Sequence, residues 1–390
     1  MSVPSLRLPA LPRLLRAIVW GLPLAGLAAA LLAPAPARTL PLFARGESTA
    51  CADCHVAVPR LNARGMRFLQ NGDRPLPPET TSPVRLQDWP ASVDGALDYA
   101  VTRTESQPEG TGPRVEIGTG TLRRSGLALA SAGALTPRVS FHADALILHG
   151  DDFLERGRLH VQLDDLVGHD ALNLRLGRFD VDLPWLASSR RTTLHDYLAP
   201  VTLDARGLEL NGATGAWAWG AGLIGSHRSH DRLEDTYLWV TRGTGEARVG
   251  ARMLFDRQDS NLSFHTWLQH LEAEASASLR VGRVLVIPGY TVDRYDDRPA
   301  PELHERHQVG LLEVLAPLDA RALWTLTARL EHRMRTATAY RSEMDQDLEA
   351  LDLGIALYPN ARTTIELAHQ GDNVGGPRSY GADAVVRLSY

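Results

Sequence analysis

From residue 96 to the C-terminus the dominant period of this sequence is two. Between 321 and 334, Ala322, Trp324, Leu326, Ala328, Leu330 and Met334 fall on one face. Arg321, Thr325, Thr327, Arg329, Glu331 and Arg333 fall on the other, with Leu323 and His332 as exceptions. The same alternation sets Val139, Phe141, Ala143, Ala145 and Ile147 against Ser140, His142 and Asp144, and Leu159, Val161 and Leu163 against Arg158, His160, Gln162 and Asp164. Successive side chains of a strand point to opposite faces, so each segment reads as a strand with one apolar and one polar side. A sandwich and a barrel both alternate in this way.

Connection lengths separate the two. Strands are expected near 96–104, 114–132, 137–148, 158–167, 171–178, 206–212, 214–225, 234–243, 246–256, 261–271, 275–287, 303–315, 320–334, 346–357, 361–370 and 379–390, sixteen in all. The gaps between them alternate. Gly133 to Thr136, Gly168 to Asp170, Ala213, Thr244-Gly245, Glu272 to Glu274, Ala316 to Asp319 and Tyr358 to Asn360 read as tight turns, whereas 179–205, 226–233, 288–302, 335–345 and 371–378 read as longer polar loops. Short turns at one end and long loops at the other are the habit of transmembrane barrels, whose short side is periplasmic. The last strand ends in Tyr390 after an alternation of Ala382, Ala384, Val386 and Leu388, which resembles the C-terminal targeting strand of outer-membrane proteins.

The N-terminus is consistent with export. Residues 1–16 carry Arg7, Arg13 and Arg16 without an acid, residues 17–33 are apolar or small apart from Pro23, and Ala35-Pro36-Ala37 offers a cleavage site, so 1–37 reads as a signal peptide. Its removal lowers the net charge from −5 to −8, because the segment contains three arginines and no acid. Beyond Ala37 no apolar run of about eighteen residues remains, and a closed β-barrel is then the only means of spanning a membrane. All 41 basic residues are arginines, they form no basic run, and the chain is mildly acidic, which leaves no electrostatic footprint for nucleic acid.

Cys51-Ala52-Asp53-Cys54-His55 is the Cys-x-x-Cys-His pattern of c-type haem attachment. Two thiols at this spacing add to the two vinyl groups of one haem, and the adjacent His55 offers its imidazole as an axial ligand. A thioredoxin-like pair would require a surrounding βαβ pattern that residues 38–92 lack, and a lone disulfide leaves His55 unexplained. Met66 is a candidate distal ligand, since a thioether there would raise the potential; a gap-filling methionine and an open coordination position are the other readings. His142, His149, His160, His169 and His195 are further donors available to a haem inside a barrel.

Pro41 to Arg45, Cys51 to His55, Pro59-Arg60-Leu61-Asn62, Gly65, Phe68 and Asn71-Gly72 together resemble the N-terminal signature of fused outer-membrane porin-cytochrome proteins. The resemblance implies a small monohaem segment ahead of an outer-membrane barrel, and in some members a role in iron oxidation at the cell surface. The expected organisation is a signal peptide at 1–37, a haem segment at 38–73, a Pro/Thr/Ser-rich linker at 74–95 and an all-β, antiparallel barrel of about sixteen strands at 96–390. The expected cofactor is one covalent haem c on Cys51 and Cys54, with His55 on the iron.

The expected function is electron conduction between an extracellular donor, ferrous iron among the options, and a periplasmic carrier. The rival is a solute porin whose haem is a structural or sensing plug. The loop from Phe179 to Ala205, with Pro184, Trp185, Arg190, Arg191, His195 and Asp196, either folds inward to narrow the lumen or caps the outer surface. His227, His230 and Asp231, and separately Asp293, Asp296 and Asp297, are weaker cation-binding candidates on expected outside loops. His304 and His307 are strand neighbours of opposite parity and do not chelate together. No hydrolase or transferase site stands out.

Overall fold

A computed structural model of the chain describes residues 51–57, 60–70, 92–106, 115–149, 152–168, 171–186, 197–198, 204–225, 233, 235–244, 247–260, 266–297, 304–318, 324–339, 342–357, 361–372 and 378–389. The expected signal peptide and nearly all of the expected linker lie outside these residues. The described chain begins with α1 (Cys51–Cys54), β1 (His55–Ala57), β2 (Arg60–Leu61) and α2 (Ala63–Gln70). Sixteen strands follow: β3 (Ser92–Ser106), β4 (Val115–Thr136), β5 (Val139–His149), β6 (Asp152–Leu163), β7 (Asn173–Asp180), β8 (Asp204–Thr214), β9 (Trp217–Gly225), β10 (Asp235–Thr244), β11 (Ala247–Ser260), β12 (Thr266–Val281), β13 (Val284–Asp297), β14 (His304–Pro317), β15 (Trp324–Ala339), β16 (Ser342–Leu357), β17 (Ala361–Asp372) and β18 (Arg378–Ser389).

Each of these strands pairs antiparallel with the next, and β18 pairs with β3, from Arg378↔Glu105 to Ser389↔Asp94. The sheet is therefore a closed barrel with no edge strand. That closure decides against a sandwich, which would leave edges. An even strand count places Ser92 and Ser389 on one rim, together with the turns at 137–138, 215–216 and 282–283. By the rule that short turns are periplasmic, this rim faces the periplasm. Gly215 and Gly282, at φ 59° and 61°, supply the left-handed residue that two of these turns need.

The burial pattern is inverted relative to a soluble protein. On β15, Leu326, Leu330 and Met334 are exposed, while Thr325, Thr327, Arg329 and Glu331 are buried. Leu238, Val249, Met253, Leu312, Leu351 and Leu353 are likewise exposed on other strands, and Arg252, Glu272, Glu274, Glu313 and Asp352 are buried. Apolar outside and polar inside is the arrangement a hydrocarbon surround requires. Leu312, Leu330 and Leu351 stand directly opposite one another on three adjacent strands and form part of this outer belt.

All sixteen expected strands are present, and several expected connections are corrected: Gly133 to Thr136, expected as a turn, lie in β4 and Ala213 in β8, with the turns just beyond at 137–138 and 215–216. Glu272 to Glu274, expected as a turn, lie in the middle of β12, and the turn is at Gly282-Arg283. Two glutamates between apolar neighbours look like a turn, but both point into the lumen, where polar side chains belong. The expected loop 288–302 is largely strand, since β13 runs to Asp297, and the expected loop 335–345 is mostly hairpin, with β15 and β16 paired from Arg335↔Gln346 to Ala339↔Ser342. Beyond Met334 the strands have left the apolar belt, so the hydrophobic alternation disappears although the backbone ladder continues. The barrel also starts at Ser92, four residues earlier than expected.

Leu330, 51% exposed on the outer face, tests the lipid contact. Leu330→Arg is expected to destabilise the barrel by about 2–4 kcal/mol if the residue lies at the bilayer midplane. Urea titration of the protein refolded in lipid vesicles, read by heat-modifiable gel migration, measures the loss.

Candidate functional site

The segment carrying the two cysteines is tied together by Asn62. Its side-chain oxygen accepts hydrogen bonds from the backbone N–H groups of Arg64 (2.9 Å) and Gly65 (3.0 Å), which caps the N-terminus of α2. Its side-chain amide donates to the Asp53 carbonyl (2.9 Å) and its backbone N–H to the Cys54 carbonyl (2.9 Å). One residue thus joins the last turn of α1 to the first of α2. Gly65 completes the contact, because a Cβ there would stand 2.2 Å from the Cys54 carbonyl oxygen. Cys51 and Cys54 open and close the single turn of α1, and His55 follows at once, pairing with Leu61 across the β1–β2 hairpin.

This segment is held against the inner wall of the barrel. Arg60 is 1% exposed, and its guanidinium donates to Glu313 on the inner face of β14 at 2.5 Å. The same group donates to the hydroxyl of Tyr197, which in turn donates to Glu313 at 2.8 Å. Burial works to lower the Arg60 pKa, but the charges and hydrogen bonds of Glu313 and Tyr197 together outweigh it and hold the guanidinium protonated. Burial pushes the Tyr197 hydroxyl up, so it remains a donor. Val56, Met66 and Leu61 pack into an apolar cluster that includes inward-facing Leu285, Ile287, Val309, Leu311 and Leu315.

Tyr197 belongs to the long connection between β7 and β8, and the described parts of this loop lie inside the lumen. Val181, Leu183, Trp185 and Leu186 are buried, and the Trp185 ring N–H donates to the Ser276 hydroxyl at 3.0 Å. Asp182 lies 3.4 Å from Arg252, which also pairs with Glu274 at 3.0 Å and with Glu272. Burial, partly opposed by Arg252, pushes the Asp182 carboxyl well up. The Leu198 N–H donates to Glu331 at 2.9 Å, and Arg329 stacks 4.9 Å from the centre of the Tyr197 ring. The inward reading of this loop therefore holds for 181–186 and 197–198, and Arg190, Arg191, His195 and Asp196 lie outside the described residues.

Between the docked segment and the wall is a cavity of about 330 Å³. Its apolar side is formed by Val56, Leu61, Met66, Trp185 and Leu285, and its polar side by Arg64, Arg67, Arg248 and Arg280. Arg248 stands next to the β10–β11 connection and Arg280 next to the β12–β13 turn, so the cavity lies at the periplasmic end of the lumen. Met66, 3% exposed, is a wall residue of this cavity.

The other sequence candidates are dispersed. His142 and His160 stack on one another with ring centres 5.4 Å apart, on inner faces of β5 and β6, and His142 approaches Asp144 at 3.3 Å. The side chain of His149, and His169 as a whole, are not among the described residues. His227, His230 and Asp231 also lie outside them. Asp293, expected in an outside loop, is buried on the inner face of β13 and bonded to His270, while Asp296 pairs with Arg294 at the exposed rim. No group of three metal-ligating side chains was found among the described residues. The residues that alternation did not single out are Tyr197, Glu313, Arg248 and Arg280. A signal for their neighbourhood exists in Val284 to Ile287 and Val309 to Leu315, where alternation gives way to nearly unbroken apolar sequence. Strands that touch lipid on one side and a packed plug on the other have this character.

Sixteen closed strands with an apolar exterior and a buried polar interior place the chain among known architectures. The fold is that of an outer-membrane β-barrel. In-vitro folded OmpT, an outer-membrane protein of Vibrio cholerae, superposes with TM-score 0.55 at 12% identity over 77% of this chain and 97% of its own. The outer-membrane channel DcaP of Acinetobacter baumannii gives 0.56 at 8% identity over 79% and 100%. An anion-selective porin from Comamonas acidovorans gives 0.53 at 14% identity over 77% and 99%. No protein-family model and no curated protein matches the sequence. At these identities the likeness concerns the fold, and the N-terminal segment must be argued from its own residues.

Removing one member of a buried ion pair costs about 3–5 kcal/mol, because the other charge is left uncompensated. Arg60→Met is therefore expected to release the 51–70 segment from the lumen while the barrel keeps its heat-modifiable migration. The double variant Arg60→Met, Glu313→Leu should restore most of the docking. Limited proteolysis of the detergent-folded proteins measures both.

Proposed function

We propose that this protein is an outer-membrane porin-cytochrome that carries electrons between an extracellular donor and a periplasmic carrier by means of one haem covalently held on Cys51 and Cys54. The observation that carries the reading is the docking of the Cys-x-x-Cys-His segment inside a closed barrel through Arg60, Glu313 and Tyr197. A haem-attachment motif hanging in the periplasm would not need a buried arginine paired with a glutamate on an inner strand face.

The residues present suit the group. A single helical turn spaces the cysteines, His55 follows it directly, and the neighbouring cavity combines an apolar wall with arginines. Held on Cys51 and Cys54 beside His55, a haem would supply one-electron storage, the chemistry needed to take an electron from a donor such as ferrous iron and pass it to a periplasmic carrier. The chain supplies the rest. Asn62 and Gly65 fix α1 against α2, Tyr197 of the β7–β8 loop ties Arg60 to Glu313 on the wall, and Met66 would either offer its thioether to the metal or close the cavity with it. The lipid-facing leucines insulate this site from neighbouring redox chemistry in the membrane.

Full-length protein from cells competent in cytochrome maturation is expected to carry one haem that survives denaturation. Cys54→Ser should weaken or abolish this attachment, and ferrous iron added under anaerobic conditions should produce the reduced visible spectrum. A colourless wild-type protein would remove the cofactor. A haem that stays oxidised with excess ferrous iron would remove that donor and favour the plug or sensor reading. Magnetic circular dichroism of the two redox states decides whether Met66 binds the iron.

A further inference from the structure

The lipid-facing surface of the barrel is not apolar throughout. On β6 to β9 the strand register aligns the outward residues in rows. Leu163, Leu174 and Leu210 share one row, and Val161, Leu176, Leu208 and Leu223 share the next. The row beyond them holds Leu159, Arg178 and Arg206. Since β8 runs toward the periplasmic turn at 215–216, this third row is the outermost of the three. Two guanidinium groups therefore stand directly opposite one another on adjacent strands, at the outer border of a leucine surface. Like charges so placed destabilise a sheet, and an arginine on the lipid face is tolerated near an interface far better than at the bilayer centre.

The nearby carboxylates are engaged elsewhere. Asp144 accepts hydrogen bonds from the backbone N–H of Arg158 and, at 2.6 Å, from its Nε, and Asp180 pairs with Arg158 at 3.2 Å. Arg178 has interactions of its own, whereas Arg206 is exposed and has no hydrogen bond or ion pair among the described residues. Beside the two arginines the surface is hollow. A cavity of about 710 Å³ is walled by Leu159, Leu176, Leu208 and Leu233, and at Ala145 and Gly157 its wall carries almost no side chain. Gly157 is fixed in this role, because a Cβ there would stand 2.2 Å from the Asp144 carboxylate. Apolar walls with two cations at one border suit an amphipathic anion. Guanidinium groups meet phosphate with paired, charge-assisted hydrogen bonds, and the leucines suit an acyl chain.

We infer that this groove on the outside of β6 to β8 binds a phosphorylated glycolipid of the outer leaflet, with a phosphate at Arg178 and Arg206 and an acyl chain along Leu159, Leu176 and Leu208. The site faces lipid and does not depend on the cofactor proposed for the lumen. A bound phosphate offsets the repulsion between the two arginines. It thereby holds β7 against β8 near the end of their ladder at Asp180↔Asp204, where the chain leaves for the long loop.

The test is native mass spectrometry of the full-length protein in neutral detergent, titrated with lipid A. The wild type is expected to retain one molecule, and Arg206→Gln to bind it about fivefold more weakly. Arg178→Gln should act in the same direction. Arg206→Lys, which keeps the charge and loses the planar fork, should lose less and serves if the glutamine variants do not fold. Arg242→Gln, near the periplasmic end of β10, should leave the affinity unchanged. Heat-modifiable migration reports the folding of each variant. A wild type that retains lipid A no better than phosphatidylcholine would overturn the site. Equal losses in Arg206→Gln and Arg242→Gln would do the same, since any exposed arginine would then serve. Displacement of lipid A by an equal concentration of inorganic phosphate would show that the apolar wall is not used, and would reject the lipid. A wild type that retains no lipid A and forms oligomers that Arg206→Gln separates would assign the groove to a second copy of the chain.

Discussion

The constraint on which this structure depends is that a peptide group in hydrocarbon has no water to bond with. Every backbone N–H and C=O in the spanning region must find its partner within the chain. For a sequence without a long apolar run beyond Ala37, the solution is a ladder that closes on itself, and β3 meeting β18 performs that closure. Once the ring is closed, side chains can only alternate between lipid and lumen. The exposed leucines of β15 and the buried arginine and glutamates beside them are the two outcomes of this single rule.

Closure also creates an interior that has to be filled or wetted. On the side formed by β11 to β15 it is filled. Arg252 draws in Asp182 from the long loop, and Arg60 draws the N-terminal segment toward Glu313, so each inserted piece contributes one charge to a pair whose other member is on the wall. Buried pairs of this kind add little net stability compared with apolar packing, but they fix position, since any displacement strands a charge. Tyr197 is the common element. Its hydroxyl takes part in the Arg60–Glu313 pair while its ring lies beside Arg329, so the loop and the segment lock one another in place.

The barrel was legible in the sequence because the membrane imposes period two on all strands at once. Sixteen strands, the shared rim of the barrel ends and the inner and outer faces of 324–334 all follow from it. Legibility failed where a different environment replaced lipid or lumen. The strand ends from Arg335 to Ala339 and from Ser342 to Asp345 pair without a hydrophobic alternation, and Glu272 to Glu274 imitate a turn because their partner Arg252 is distant in sequence. At the candidate site, spacing alone named Cys51, Cys54 and His55. Arg60 was visible only as part of a resemblance, and nothing local could pair it with Glu313, 253 residues away. The inward fold of 181–186 and 197–198 was one of two equal readings of the β7–β8 loop, and the unbroken apolar runs in β13 and β14 are the signal that would have chosen between them.

The depth of the docked segment bears on how charge is distributed along the lumen. Arg248, Arg280 and the arginines of α2 gather at the periplasmic end, whereas Asp256, Asp293 and Glu305, with His270 and His307 between them, lie on inner faces in the outer part of β11 to β14. Arg335 neutralises one of these carboxylates by pairing with Glu305. A cation entering from outside thus meets carboxylates before it meets arginines, and a wall of low dielectric strengthens both effects. On the proposed reading, a cationic donor is drawn toward the segment and stopped short of the periplasmic end.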